Sequence, residues 1–208
     1  MQERGILMVV SGPAGVGKGT IVKLACQKAQ GNIHLSVSAT TRNPRPIDKE
    51  GVTYHFITKE EFRSMIEQNE VLEWAEYVGN YYGTPKDYVD RMLSEGKNVI
   101  LEIEMQGGLK VKEQCPEAVL IFMVPPSAEE LKNRLIGRGT EDIETVNKRL
   151  RRASEEIDYI DDYDYIVVNN EIEKCADDIN AIICSEHNKV LNNSDMISII
   201  KDDFKLLK

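Results

Sequence analysis

Nine consecutive residues, Gly12-Pro13-Ala14-Gly15-Val16-Gly17-Lys18-Gly19-Thr20, carry the chemistry that is easiest to name in this chain. Glycines at 12, 15 and 17 let successive backbone N–H groups turn inward with no Cβ in the way. An apolar run, Ile6 to Val10, stands before them and a helical pattern follows. A strand, a glycine-rich loop and a helix N-terminus in that order make a cradle for phosphate, because the helix adds unsatisfied amides and its positive dipole end. Lys18 supplies a point charge within reach of β- and γ-phosphates. Gly12, Gly17 and Lys18 stand at the offsets of a phosphate-binding loop, which reads as a nucleoside triphosphate site.

The pattern departs from the usual one after the lysine. A Ser or Thr hydroxyl normally follows and ligates Mg²⁺, but here Gly19 takes that place and Thr20 comes one later. Thr20 either serves the metal, directly or through water, or is a polar residue of the first helical turn.

A second set of groups lies between about Thr40 and Lys86. Arg42 and Arg45 stand three apart in Thr40-Thr41-Arg42-Asn43-Pro44-Arg45-Pro46, a loop stiffened by prolines. Paired guanidinium groups clamp phosphate oxygens in two-pronged fashion, and a preorganised loop loses less entropy in doing so. On spacing alone the reading as two solvated surface arginines would prevail. Tyr54 and Tyr82 either donate phenolic hydrogen bonds to the same phosphate or sit half-buried in a small core. Glu73, beside the single tryptophan Trp74, offers a carboxylate that accepts from paired N–H donors such as guanine N1 and N2. Read alone, it also fits a surface position at a strand end. Glu102 and Glu104 flank Ile103, an alternation that directs both carboxylates to one side of a strand.

These groups need a scaffold, and the chain alternates as α/β. Strands are expected at Ile6 to Val10, Leu35 to Ser38, Val99 to Ile103, Val119 to Val124 and Tyr165 to Val168, with helical patterns between. That order predicts a parallel sheet with helices on both faces, the P-loop architecture. Residues 39–89 read as an inserted mixed α/β subdomain with one helix opened by Thr58 and Glu61. Ser127 with Glu130 reads as a capping box for a helix through about Ile136. Ile143, Val146, Leu150, Ala153 and Ile157 keep a helical stripe over the next segment. Gly137-Arg138-Gly139 breaks the chain between these two helices, which predicts a helical lid over 126–158 with a hinge there. The core is then 5–38, 90–125 and 159–184, and 185–208 forms a C-terminal helical extension.

Composition narrows the partners. With 26 basic against 35 acidic residues the net charge is −9, so no overall basic footprint for nucleic acid exists. Positive charge is instead local, at Arg42 and Arg45 and again from Arg134 to Arg152. No apolar stretch has the length of a membrane-spanning helix or a signal segment. Cys26, Cys115, Cys175 and Cys184 show no C-x-x-C spacing and read as reduced thiols of a cytoplasmic protein.

Taken in order, these motifs resemble guanylate kinase. The resemblance runs through Ser11-Gly12-Pro13 with Lys18, Ser36 to Arg42 with Pro44-Arg45, Tyr54, Glu73-Trp74-Ala75, Asn80 to Thr84, Leu101 to Gly107, Pro125-Pro126-Ser127 and Arg134 to Thr140. It spans about Gly5 to Cys184. It implies phosphoryl transfer from ATP to GMP or dGMP with Mg²⁺, and no nucleic-acid or membrane partner. The ATP side would be Gly12, Pro13, Ala14, Gly15, Val16, Gly17, Lys18, Gly19 and Thr20, with Asn169 near the adenine. Arg42, Arg45, Tyr54 and Tyr82 would hold the GMP phosphate, while Ser38, Glu73, Thr84 and Glu104 would read the guanine. Lys18, Arg134, Arg138 and Arg149 would neutralise the transferring group.

Four features bear on that resemblance. The family usually has Asp where Glu104 stands and Gly where Ile47 stands. Thr84 before Pro85 is also a natural helix N-cap. Asp48-Lys49-Glu50-Gly51 matches the D-x-x-G of regulatory GTPases, but lies in a proline-rich loop and no N/T-K-x-D segment accompanies it. A non-enzymatic scaffolding module of the same fold tends to lose the glycine loop, which is intact here; an adenylate or uridylate kinase is disfavoured by the Arg42 to Arg45 loop and Glu73.

Overall fold

The computed structural model describes residues 4–137 and 142–207. Five parallel strands form the main sheet: β1 (Leu7–Ser11), β2 (Ile33–Leu35), β7 (Asn98–Glu102), β8 (Val119–Val124) and β9 (Tyr165–Val168), in the order β2-β7-β1-β8-β9. β1 is central and buried throughout, and alternation along it feeds two cores. Met8 and Val10 pack with Ile21, Val22 and Ala25 of α1 (Lys18–Lys28) and with Ala176, Ile179 and Ile183 of α7 (Ile172–His187). Leu7 and Val9 pack on the opposite face with Val89 and Leu93 of α3 (Lys86–Ser94) and Val111 of α4 (Met105–Gln114). Strands covered on both faces read as unbroken apolar runs, which is why β1 and β8 stand out in the sequence.

The expected strand at Leu35 to Ser38 is displaced: pairing with β7 uses Ile33–Leu35, and the chain then leaves the sheet. It enters a second, four-stranded sheet ordered β4-β3-β6-β5, made of β3 (Ala39–Thr40), β4 (His55–Phe56), β5 (Val71–Tyr77) and β6 (Asn80–Pro85). One helix, α2 (Lys59–Glu67), packs here. Its capping box is reciprocal, with Glu61 N donating to Thr58 Oγ1 at 3.1 Å and Thr58 N to Glu61 Oε2 at 2.7 Å.

After β8 come α5 (Ala128–Gly137) and α6 (Ile143–Ile157), which bury Leu131, Leu135, Val146 and Ala153 in a small core of their own. The Ser127 cap is half of a box: Glu130 N donates to Ser127 Oγ, but the Glu130 carboxylate holds Arg134 at 2.8 Å. Ile143 and Ile157, the ends of the expected α6 stripe, are exposed because the helix outruns its partner. Gly137 closes α5, while Arg138, Gly139 and Thr140 lie outside the described residues, and with them most of the expected hinge. A last helix, α8 (Ser194–Lys205), follows α7 after a short 3₁₀ turn at Val190–Asn193.

Candidate active site

The glycine loop joins the C-terminal end of β1 to α1, where a parallel sheet presents ligand-ready loop ends. Two of its glycines are obligatory on steric grounds. Gly12 has φ 142°, and a Cβ there would lie 2.1 Å from the Met123 carbonyl oxygen on β8. Gly17, at φ 101°, is the residue that opens α1, and its missing Cβ leaves room for Asn169 Nδ2. The helix begins at Lys18, so its first amides face the loop. Lys18 Nζ lies over the loop, donating to the Gly12 carbonyl and, at 3.3 Å, to that of Pro13.

Gly19 and Thr20 follow in the first turn. They line a cavity of about 310 Å³ together with Lys23 and Glu102. Both Glu102 carboxylate oxygens would stand 3.3 Å from a Cβ at position 19. A side chain at position 19 would therefore press on the Glu102 carboxylate, which would have to give by a few tenths of an ångström. Burial raises the Glu102 carboxyl above its ordinary value, and Lys18 and Lys23 draw it partly back.

Asn169 and Arg134 buttress this loop from outside. Asn169 Nδ2 donates to the Val16 carbonyl at 2.6 Å, and Arg134 reaches the same carbonyl at 3.4 Å and that of Asn169 at 3.0 Å. Arg134 thus stands at the loop, held by Glu130 on its own helix. Arg149 lies on α6, and Arg138 is outside the described residues.

The second set of groups sits on the four-stranded sheet. Thr40 Oγ1 donates to the Tyr81 carbonyl at 2.9 Å, and Tyr81 N donates to Thr41 Oγ1 at 2.9 Å, which pins the start of the arginine loop to β6. Arg42 then donates to Asp48 Oδ2 at 2.9 Å, with its guanidinium 5.5 Å from the Tyr54 ring centre and 5.7 Å from that of Phe56. Asp48 Oδ2 also accepts from Arg45 N at 2.6 Å, so one carboxylate shapes the loop. The Arg42 hydrogen bond and then that of Arg45 N hold the Asp48 carboxyl below its ordinary value. Tyr54 and Tyr82 meet edge to face at 5.8 Å, and burial pushes the Tyr54 hydroxyl up. Arg42, Tyr54 and Tyr82 therefore form one cluster, while the Arg45 side chain is at the exposed rim and Ser38 lends its carbonyl to His55 N. Asp48 is the residue that sequence reasoning missed; the available signal was two arginines beside an acid in a loop that needs shape.

Glu73 is only 6% exposed, which removes the surface-position reading. Thr84 Oγ1 donates to its Oε1 at 2.8 Å in a buried pair. Thr84 belongs to β6, and Pro85 takes the N-cap position of α3, so the capping alternative for Thr84 fails. Gly107 at the start of α4 approaches Glu73 so closely that a Cβ there would stand 3.0 Å from Oε2. Burial raises the Glu73 carboxyl, with the Thr84 hydrogen bond and the Lys110 charge opposing.

Glu102 and Glu104 do not share a strand face. β7 stops at Glu102, and Glu104 is the residue that opens α4, with its side chain largely in solvent. There it pairs with Arg152 of α6, beside a cavity of about 810 Å³ between α4 and α6. Arg152 is also held by Glu156 at 3.0 Å.

A glycine loop after the central strand of a 2-7-1-8-9 sheet, an inserted second sheet and a helical pair after β8 define a P-loop kinase fold. Comparison with known proteins narrows that class. The family model described as guanylate kinase matches residues 4–186. A guanylate kinase of Halalkalibacterium halodurans is 55% identical over 188 residues, covering 90% of this chain and 92% of that one. That of Bacillus subtilis is 50% identical over 189 residues, 91% of this chain and 93% of its own. A crystal structure of guanylate kinase from Anaplasma phagocytophilum superposes with a TM-score of 0.71 at 35% identity, covering 91% and 89%. The chain belongs to the guanylate kinase family.

Proposed function

We propose that the chain transfers the γ-phosphoryl group of ATP reversibly to GMP, or dGMP, giving ADP and GDP in purine nucleotide metabolism. The observation that carries the reading is the buried Glu73–Thr84 pair beside the Arg42, Tyr54 and Tyr82 cluster, a base-reading acceptor next to an anion pocket. Membership of the guanylate kinase family supports it independently.

The residues divide by charge. Backbone N–H groups of the Gly12 to Thr20 loop, Pro13 excepted, receive the ATP phosphates, and Lys18 leaves the Gly12 and Pro13 carbonyls to meet them. Asn169 bounds this side, anchored through Val16. Arg42, Arg45, Tyr54 and Tyr82 take the acceptor phosphate, and Asp48 holds Arg42 in place for it. Glu73, with Thr84, accepts from the guanine N–H pair; Ser38 and Glu104 complete the base's surroundings. A GMP phosphate is already ionised at neutral pH, so no general base is required. The site must instead cancel repulsion between two anions and align them, which Lys18, Arg134, Arg138 and Arg149 do with the lid closed.

Magnesium would spread charge over the β- and γ-phosphates. The Thr20 hydroxyl and the Glu102 carboxylate are oxygen donors that suit a hard cation, and both line the cavity beside Lys18. A cytoplasmic location belongs to the same proposal, supported by the ATP requirement and by Cys26, Cys115, Cys175 and Cys184 being free thiols.

A coupled assay with ATP, magnesium and each of GMP, dGMP, AMP, UMP and CMP tests the reading. GDP formation from GMP well above all other ribonucleotide acceptors is expected. Preference for another base, or no turnover, would overturn it.

A further inference from the structure

We infer that Arg152 of α6 is a positioning residue for base recognition: it holds Glu104, and through Glu104 the first turn of α4, against the acceptor pocket. Arg152 comes from outside both proposed pockets, and its role rests on the reading of Glu73 and Glu104 as neighbours of the guanine. The two sides of α6 have different tasks. Val146, Leu150 and Ala153 pack with Leu131 and Leu135 of α5 in the small core of that helical pair. Arg152 and Glu156 stand one turn apart on the other side, four residues being the spacing that puts helical neighbours on one face. Arg152 uses its guanidinium twice there: Nε donates to Glu156 Oε1 at 3.0 Å, and Nη2 donates to Glu104 Oε2. The Glu156 side chain is only 12% exposed, and burial raises its carboxyl while Arg152 draws it back. A mostly buried carboxylate thus fixes the inner arm of a rigid planar fork, and the outer arm reaches Glu104.

Glu104 is available for this contact because it does no local work. It occupies the N-cap position of α4, yet its side chain accepts no backbone N–H of that helix. The same turn of α4 leans on the acceptor pocket. Gly107, three residues on, comes so close to Glu73 that a Cβ there would stand 3.0 Å from Oε2. Lys110, three residues further, donates to the Trp74 carbonyl at 3.2 Å, and its charge acts on Glu73. A pull on Glu104 is therefore a pull on the helix end that abuts the buried base-reading carboxylate. The pair with Arg152 engages Oε2 and leaves Oε1 for the base.

Both partners are well exposed, Arg152 at 50% and Glu104 at 73%, so the effect to look for is modest. Steady-state kinetics of the full chain, with GMP and magnesium–ATP each varied at saturation of the other, test the role. Arg152→Gln is expected to raise the KM for GMP about three- to five-fold, with kcat and the KM for magnesium–ATP moving by less than about two-fold. Arg151→Gln, which removes the same charge from the same cavity, is expected to leave the KM for GMP unchanged. Glu104→Gln should raise that KM too, and adding Arg152→Gln to it should bring no further rise, because the partner is already gone. An unchanged KM in Arg152→Gln, additive effects in the double variant, an equal rise in Arg151→Gln, or a loss shared equally by both nucleotides would each overturn the inference. GMP turnover by the wild type would in those cases leave the underlying reading intact. A wild type that does not phosphorylate GMP would overturn that reading, and the role of Arg152 with it.

Discussion

The two pockets proposed for this protein are built from different materials. The proposed donor pocket is made of backbone: its amides are aimed by φ values that glycine alone takes easily, and at Gly12 the neighbouring strand β8 leaves no room for a Cβ. The acceptor pocket is made of side chains, from Arg42, Tyr54 and Tyr82 to Glu73, and these hold one another. A backbone site tolerates almost no change but needs few partners. A side-chain site depends on a network, and any member can be tuned.

The sharpest way to break this contrast is at the one charged side chain of the donor loop. Lys18→Ala is expected to lower turnover by on the order of 10³-fold, with thermal unfolding unchanged. Wild-type turnover in a folded Lys18→Ala would remove the lysine from the chemistry. Next in size is Gly12→Ala, whose methyl would overlap the Met123 carbonyl at 2.1 Å. It should cost about 2–4 kcal/mol of stability, read as a lower melting temperature, and an unchanged melting temperature would show a loop freer than described.

On the acceptor side Glu73→Gln should raise the KM for GMP by about 10- to 100-fold and leave that for ATP nearly constant. Equal loss for both nucleotides would take Glu73 out of base recognition. The same residue gives a pH signature. Burial raises its pKa above the ordinary carboxylate value, so GMP should bind more tightly as pH rises through that raised value. Folding runs the other way: the Glu73 contribution is fully present below the ordinary carboxylate value and is lost as pH climbs through the raised folded value. Both trends should flatten in Glu73→Gln. The smallest effect is expected from Asp48→Asn, which keeps the loop's shape but loosens Arg42; a several-fold rise in KM for GMP at constant kcat is expected.

The same division explains what could be read from the sequence. The donor loop was legible because backbone geometry writes itself as glycine spacing, and β1 and β8 because burial on both faces writes itself as apolar runs. The acceptor side was less so. Val71, Leu72 and Glu73 are buried in succession, since the pairing of β5 with β6 shifts register between Val71 and Trp74. Strict alternation therefore misplaces Glu73. Glu102 and Glu104 separate because the strand ends between them, and a period of two holds only while the strand lasts. Asp48 acts across a fold of its own loop, which no local pattern records.

Calorimetric titration of GMP and of magnesium–ATP into the wild type, Lys18→Ala and Arg42→Ala tests the division into two pockets most directly. Arg42→Ala is expected to lose most of its GMP affinity and keep that for magnesium–ATP, and Lys18→Ala to do the reverse. Loss of both nucleotides in both variants would contradict two separately built pockets.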